Sequence, residues 1–427
     1  MKRRDFLKGF LTAAALAPVS RLAAAADKTP AKSDGKIARK PYKDTALTLP
    51  MLGFGMMRLP RKKNSSDVDY EKCAAMFDRA MKAGLNYFDT AYFYLGGRSE
   101  TCAGDLLSRY PRESYFLTSK MPMGPLKNPS DLERIFNEQL KKCKTTYFDF
   151  YMLHALNGRN WQKAKRLKVY EFLAKKKAEG KIRKLGFSFH DTPQVLEEIA
   201  SAHPWDFGQI QLNYLDWTLY RSKEQYEILT KKNIPVIVME PLRGGALAKL
   251  NSAATKILSN ARPGESNASW AFRYVGSLPN VLISLSGMTC MEHLEDNIKT
   301  FSNFRPLTET DRKVLNTALT AYRKSLAVPC TDCRYCMPCP VEVEIPKIFG
   351  LYNQLKLSGN RFVFNNAYKA IDEESRASAC VACGKCMKSC PQKINIPQEL
   401  KKIDQEFKRM NRKKALLLND PDGEYFA

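Results

Sequence analysis

Absences narrow this 427-residue sequence before any motif does. Beyond its first 26 residues, no stretch reaches the roughly 18 consecutive apolar residues of a membrane-spanning helix, so no membrane span is expected. No low-complexity tract is long enough to enforce disorder. The hydrophobic (44%) and charged (26%) fractions are those of a folded, soluble protein. No recognised nucleic-acid module accompanies the formal charge of +25. Lys and Arg are spread along the whole chain, apart from a modest cluster from Lys401 to Lys414, so the charge reads as a solvated basic surface and no nucleic-acid partner is expected. No flavin motif is evident either.

What is present begins with an address. Residues 1–26 run basic (Lys2, Arg3, Arg4), then apolar (Phe10 to Ala17), then small (Leu22, Ala23 to Ala26), the three-part layout of a signal peptide. The stretch RRDFLKG resembles the twin-arginine signal, whose translocon carries proteins already folded. Cleavage is expected near Ala24 or Ala26, and the product is expected outside the cytoplasm, in the periplasm. Residues 27–45, polar with Pro and Gly, read as a linker.

Twelve cysteines could signify disulfides in an exported chain, so their spacing decides. Eight fall in two runs: Cys330, Cys333, Cys336 and Cys339, then Cys380, Cys383, Cys386 and Cys390. The second run is CxxCxxCxxxCP, the spacing with which bacterial ferredoxins hold a [4Fe–4S] cube. In two-cluster ferredoxins the fourth cysteine serves the neighbouring cluster. That pattern pairs Cys330, Cys333 and Cys336 with Cys390, and Cys380, Cys383 and Cys386 with Cys339. The first run departs from it, with two residues instead of three before its last cysteine. Zinc could use the same thiolates four at a time, but two proline-ended runs favour two [4Fe–4S] clusters. Cys73, Cys102, Cys143 and Cys290 stand singly and read as buried structural thiols.

From residue 46 to about 300, short apolar β-like runs alternate with longer amphipathic ones. Strands are expected at 51–57, 85–91, 115–120, 148–154, 182–188, 208–214, 234–240 and 281–287. Helices are expected between them, as at 70–84 and 129–143. Eight parallel βα units imply an α/β fold, a closed (β/α)8 TIM barrel over residues 46–325. A small, mainly helical dicluster ferredoxin-like domain (326–400) and a basic tail (401–427) follow. In such barrels the chemistry sits where strands end. There stand Asp89, with Tyr94 just beyond it, Lys120 and His154; Ser188, Gln211 and Ser286 close later strands. Four polar or titratable groups at three neighbouring strand ends point to a catalytic centre.

LGFGMMRLP, DTAYFYLGGRSE, LTSK, FYMLH, GFSFH, QIQLNY and SGMTCMEHLEDNI, at these separations, resemble the aldo/keto reductases across roughly residues 46–300. The tail resembles the ferredoxin-type extension of a bacterial branch of that family. The resemblance implies hydride transfer between NAD(P)H and an aldehyde or ketone, with Tyr94 as the proton donor. Lys120 would lower the phenol's pKa, Asp89 would hold Lys120, and His154 would bond the substrate carbonyl. It further implies that Ser188 and Gln211 hold the nicotinamide carboxamide, that Leu242 and Gly244 belong to the pyrophosphate loop, and that Ser286, Gly287, Met288 and Asn297 form part of the far phosphate and adenine site. Each of these also has a plain reading as a loop or capping residue.

Three departures from the family stand out. Phe189 and His190 stand where many relatives carry Asn, Met239 where some carry Tyr, and Thr289 where NADPH-preferring relatives carry Arg, which leaves NADH and NADPH both open. The partners expected are a small carbonyl or alcohol substrate and a redox partner protein for the clusters, which either relay electrons or staple the tail. Residues 155–165 are expected to shape the pocket, with Trp161 lining it. A second reading makes the barrel a catalytically idle scaffold for the ferredoxin module.

Overall fold

The eight expected strands form one closed, parallel barrel: β3 (Leu52–Gly55), β4 (Tyr87–Asp89), β5 (Phe116–Met121), β6 (Phe148–Leu156), β7 (Ile182–Phe189), β8 (Phe207–Gln211), β9 (Val236–Met239) and β10 (Val281–Ser286). β10 pairs back onto β3, which leaves no free edge. The computed structural model describes residues 35–43, 45–323, 326–330, 336–390 and 393–418. The expected signal peptide, the first part of the linker, Cys333 and the last residues of the tail lie outside the described residues.

Local sequence dictates the crossover helices. Tyr70–Lys82 is opened by Asp69, whose carboxylate accepts the Lys72 N–H at 3.2 Å, and is followed by Gly84 at φ +77°, a conformation open to glycine. Its apolar residues Cys73, Met76, Phe77 and Ala80 fall at helical spacing and are all buried against the sheet. Ser130–Lys142 repeats the pattern with Leu132, Ile135, Phe136 and Gln139. The expected helices 70–84 and 129–143 are therefore present, each two residues shorter.

Part of the segment read as linker is structured. Two short antiparallel strands, β1 (Arg39–Pro41) and β2 (Thr48–Pro50), close the N-terminal end of the barrel. Tyr42 and Leu49 are buried in the barrel's interior layer with Tyr87, Phe150, Met152, Phe207 and Ile237. Lys40 Nζ donates to the carbonyls of Gly276, Leu278 and Val281 at 3.0, 3.3 and 2.8 Å. A polar composition concealed this plug, because its few apolar side chains are the ones that seal the barrel floor.

The cysteine-bearing segment carries three longer helices, Ile345–Ser358, Arg361–Lys369 and Ile396–Leu418, around a small core that includes Ile348, Phe349, Tyr352, Tyr368 and Leu400. The last helix runs straight through the expected boundary at 400/401. Ile403 is fully buried and the Phe407 ring centroid lies 4.5 Å from that of Tyr368, tilted against it, so the basic tail begins as part of this core. The described residues belong to one compact unit, in which helix Ile345–Ser358 packs against the loop Arg243–Ala248 at the C-terminal rim of the barrel. Among the described residues, no helix is long and apolar enough to cross a membrane.

Candidate active site

Sheet register brings the expected catalytic residues together. Asp89 lies opposite Gly55 on one side and Thr118 on the other, and Lys120 stands one pleat beyond Thr118 on the same face of β5. Lys120 is fully buried; its Nζ lies 2.6 Å from Asp89 Oδ1 and donates to the Thr90 carbonyl at 2.8 Å. The same ammonium sits 4.6 Å from the centroid of the Tyr94 ring. His154 meets Tyr94 edge-on, with ring centroids 6.0 Å apart. The four residues expected to act together are thus assembled at one point of the rim.

The backbone around them is held in sparsely populated conformations. Leu95 follows Tyr94 at φ +55°, and Ala155 follows His154 at φ +52° where the register of β6 against β7 shifts. Such local irregularity re-aims a side chain at the end of a strand, and it needs a firm surround. Ala155 N–H donates to Ser188 Oγ at 2.7 Å, which supplies part of it. Behind Lys120 lies a buried polar network that the sequence reading did not identify. Ser119 Oγ donates to Glu100 at 2.6 Å, and Gln139 Nε2 donates to Ser119 Oγ and to the Lys120 carbonyl at 2.9 and 3.1 Å. Its only sequence signal was the acidic residue closing DTAYFYLGGRSE.

Electrostatics corrects one expectation. Burial raises the Tyr94 phenol above its ordinary value, and the nearby Lys120 ammonium offsets this only in part. Desolvation outweighs the cation because Tyr94 sits against a wall of protein while Asp89 partly cancels the charge of Lys120. At neutral pH the hydroxyl therefore keeps its proton. Burial works against the Lys120 charge, but Asp89 and Tyr94 outweigh it and hold the ammonium above its usual value. Burial also raises Asp89, with Lys120 opposing. His154 is pushed down to about 3, by desolvation first and then by Lys120, so its imidazole is neutral. The arrangement offers a protonated phenol and a neutral imidazole at the mouth of the barrel.

Around the rim stand the residues expected to hold a cofactor. Ser188 is buried and already accepts the Ala155 N–H, which leaves its own proton free to donate. Gln211 Nε2 donates to Asp216 Oδ2 at 2.8 Å, which turns its Oε1 into the available acceptor. Asp216, fully buried, also accepts from Asn213 Nδ2 at 2.6 Å and pairs with Arg243 at 3.1 Å. It thereby ties the end of β8 to the loop after β9, a role that spacing alone did not reveal. In that loop Leu242 is half-buried, and Glu240 (φ +55°), Arg243 (φ +49°), Gly244 (φ +65°) and Gly245 (φ +98°) are left-handed.

Beside it, a side chain on Gly287 would meet the Arg58 methylenes at 3.3 to 3.5 Å, and one on Gly244 would meet Arg58 Nη2 at 3.5 Å. Arg58, overlooked within MMRLP, therefore lies between the two glycines expected to face phosphates. Asn297 Nδ2 donates to Ser286 Oγ at 2.9 Å in a buried pair, and the Met288 side chain belongs to the core. These three shape the rim from beneath; of Met288, only the backbone remains for a ligand. Trp161, expected to line the pocket, is buried on the far side of its helix, with its indole N–H donating to Glu198 at 2.8 Å.

In the tail, Cys339, Cys380, Cys383 and Cys386 line one small cavity, and Cys390 is buried in the core against which Cys330 and Cys336 pack. The hollow joins Cys339 to the second run, the half of the crossed grouping that falls wholly within the described residues. Cys339, Cys380, Cys383, Cys386 and Cys390 are free thiols, and Cys383 is exposed. Four thiols around one hollow fit the donor set of an iron–sulfur cube. No group of His, Cys, Asp or Glu among the described residues is arranged for a single metal ion. Cys73, Cys102 and Cys143 are buried as expected, whereas Cys290 is half-buried beside helix Met291–Ser302.

Comparison with known proteins places this geometry. The Aldo/keto reductase family matches residues 51–319, and the 4Fe-4S dicluster domain matches residues 329–395. The uncharacterised oxidoreductase YqkF of Bacillus subtilis is 27% identical over 63% of this chain and 92% of its own length. The NADH-specific methylglyoxal reductase of Escherichia coli is 24% identical over 48% of this chain and 68% of its own. Among solved structures, the thermostable aldo-keto reductase Tm1743 superposes with a TM-score of 0.55 at 23% identity, covering 66% of this chain and all of its own. The fold, the strand-end constellation and the family match together identify the chain as a member of the aldo/keto reductase family, an oxidoreductase extended by a 4Fe-4S dicluster domain.

Proposed function

We propose that this protein is an exported carbonyl reductase that uses NADH or NADPH and carries two [4Fe–4S] clusters in its tail. The observation that carries the reading is the buried Lys120–Asp89 pair lying under the Tyr94 ring, with neutral His154 beside it. A nicotinamide, when bound, supplies the hydride. The residues suited to hold it are Ser188 as donor and Gln211 as acceptor toward the carboxamide, with Arg58, Gly244 and Gly287 toward the phosphates. Tyr94 gives its proton to the carbonyl oxygen as that oxygen gains electron density, so aldehyde or ketone becomes alcohol and the phenol becomes phenolate. Lys120 stabilises that phenolate, which solvent then reprotonates. His154 donates a hydrogen bond to the same oxygen and fixes which face of the carbonyl is presented.

One cluster would rest on Cys339, Cys380, Cys383 and Cys386, the other on Cys330, Cys333, Cys336 and Cys390; they relay single electrons to a partner or staple the tail. Export of a folded, cluster-loaded chain would need the twin-arginine signal of residues 1–26. Replacing Arg3 and Arg4 by Lys should then leave the protein in the cytoplasmic fraction.

The test of turnover uses anaerobically reconstituted full chain, a panel of aldehydes and ketones, and either nicotinamide. Tyr94→Phe should lower kcat by about 10²–10⁴-fold with cofactor affinity nearly unchanged. Equal turnover in the variant overturns the assignment. Absence of turnover in the wild type favours the scaffold reading.

A further inference from the structure

The strongest unassigned feature is a cavity of about 570 Å³ on the loops that follow β5 and β6, lined among others by Met123, Gly124, Arg159, Lys163 and Arg166. These loops continue directly from the strand ends bearing Lys120 and His154. Gly124 is four positions beyond Lys120, and Arg159 five beyond His154, spans of at most about 14 and 18 Å. The Phe93 ring, half exposed and next to Tyr94 in the chain, lies 3.9 Å from where a side chain on the cavity residue Gly124 would lie.

The cavity's charge is one-sided. Arg159, Lys163 and Arg166 fall at i, i+4 and i+7 on one face of helix Gly158–Arg166, and no carboxylate lines the cavity. Like charges at this spacing repel and weaken a helix, so an undiluted cationic face asks for a counter-charge. The helix's other face shows the ordinary solution: Lys165 pairs with Glu198 at 2.9 Å. Lys163 is committed, its Nζ donating to the carbonyls of Met123 and Gly124 at 2.7 and 3.2 Å, which braces the loop over the cavity. Arg159 and Arg166 have no carboxylate partner among the described residues and remain as two planar donors.

Resting on the reductase reading above, we infer that the substrate is a carbonyl compound with an anionic oxygen group, carboxylate or phosphate. Arg159 and Arg166 grip that group while Phe93 covers the carbon chain and the carbonyl lies at Tyr94. The residues are specificity determinants at a distance from the reacting atoms.

The test compares matched substrates on the reconstituted full chain: succinic semialdehyde against butanal for carboxylate, glyceraldehyde phosphate against glyceraldehyde for phosphate. Wild type should favour at least one anionic member by about tenfold or more in kcat/KM, the size of one charge-assisted bond. In Arg159→Ala/Arg166→Ala that preference should vanish through a raised KM, with the neutral substrates unaffected. Arg159→Lys/Arg166→Lys should keep part of it. Equal kcat/KM for neutral and anionic members in the wild type, or an unchanged preference in the Ala variant, overturns the inference. If no carbonyl turns over, the reductase reading fails, and calorimetry with succinate and with inorganic phosphate still decides the cavity. Binding that the Ala variant loses supports it; binding absent or unchanged overturns it.

Discussion

At the barrel mouth, Lys120 is already bonded within the protein to Asp89 Oδ1 and to the Thr90 carbonyl, whereas in the tail Cys339, Cys380, Cys383 and Cys386 face a common hollow with no bond among them. The first centre is held by sheet register and backed by a second buried network, so its geometry exists without a ligand. The second is a set of thiols on loops and on one short helix, Lys385–Lys388, over a core far smaller than the barrel's. A segment of that size gains much of its stability from whatever its thiols bind. A site built on closed sheet is preorganised; one built from loops depends on its contents.

Removing iron should break this comparison most visibly if it is wrong. Anaerobic chelation is expected to speed amide exchange of the helices Ile345–Ser358 and Arg361–Lys369 by about a hundredfold or more, while strands β3 to β10 change by less than about threefold. Equal loss in both regions, followed by hydrogen exchange mass spectrometry, would mean that the barrel leans on the tail as much as the tail leans on iron.

Next in size comes Lys120→Met. It leaves Asp89 as a buried charge without its partner, at a cost of about 3–5 kcal/mol, and removes the cation that favours phenolate. Adding Asp89→Asn should restore most of the stability in urea unfolding and none of the turnover. If the double variant stays as unstable as the single one, Lys120 is held by more than this pair.

The eight strands and the four residues clustered at their ends were legible because they are announced locally: apolar runs at strand spacing, with a polar residue at or just beyond the end of several of them. What escaped depends on the third dimension. Asp216 and Arg243 are 27 positions apart in the sequence and meet only because β8 and β9 are neighbours. Arg58 reaches Gly287 only because the barrel closes between β3 and β10. Trp161 lay in the right segment, but the rotation of its helix turned it inward and left Arg159 and Arg166 at the cavity. The direction of the Tyr94 shift failed for a related reason, since the degree of burial, which decides it, is invisible in a motif.

The crossed thiols give a smaller effect and a sharper test. With Cys339 grouped with Cys380, Cys383 and Cys386, Cys339→Ser should lower iron from about eight to about four atoms per chain. Adding Cys380→Ser should remove no more, because both residues serve the same cluster. If the double variant loses nearly all iron, each run keeps its own cluster and the crossing is wrong.

The smallest effect belongs to His154, and its sign follows from which state takes up the proton. Burial and the Lys120 charge hold the folded imidazole near 3, whereas an unfolded one titrates near 6.5. As pH falls below about 6.5, the unfolded chain binds a proton that the native state refuses, so stability declines between that pH and about 3, by at most about 1.4 kcal/mol per unit. His154→Gln removes this contribution. Its urea midpoint should therefore fall less than that of the wild type between pH 7 and pH 5, a difference of about 1–2 kcal/mol, while the midpoints of the tail, monitored by cluster absorbance, move alike in both proteins. Identical slopes in the barrel would mean that His154 titrates as a solvated residue, and the neutral donor assigned to it beside Tyr94 would be lost below neutral pH.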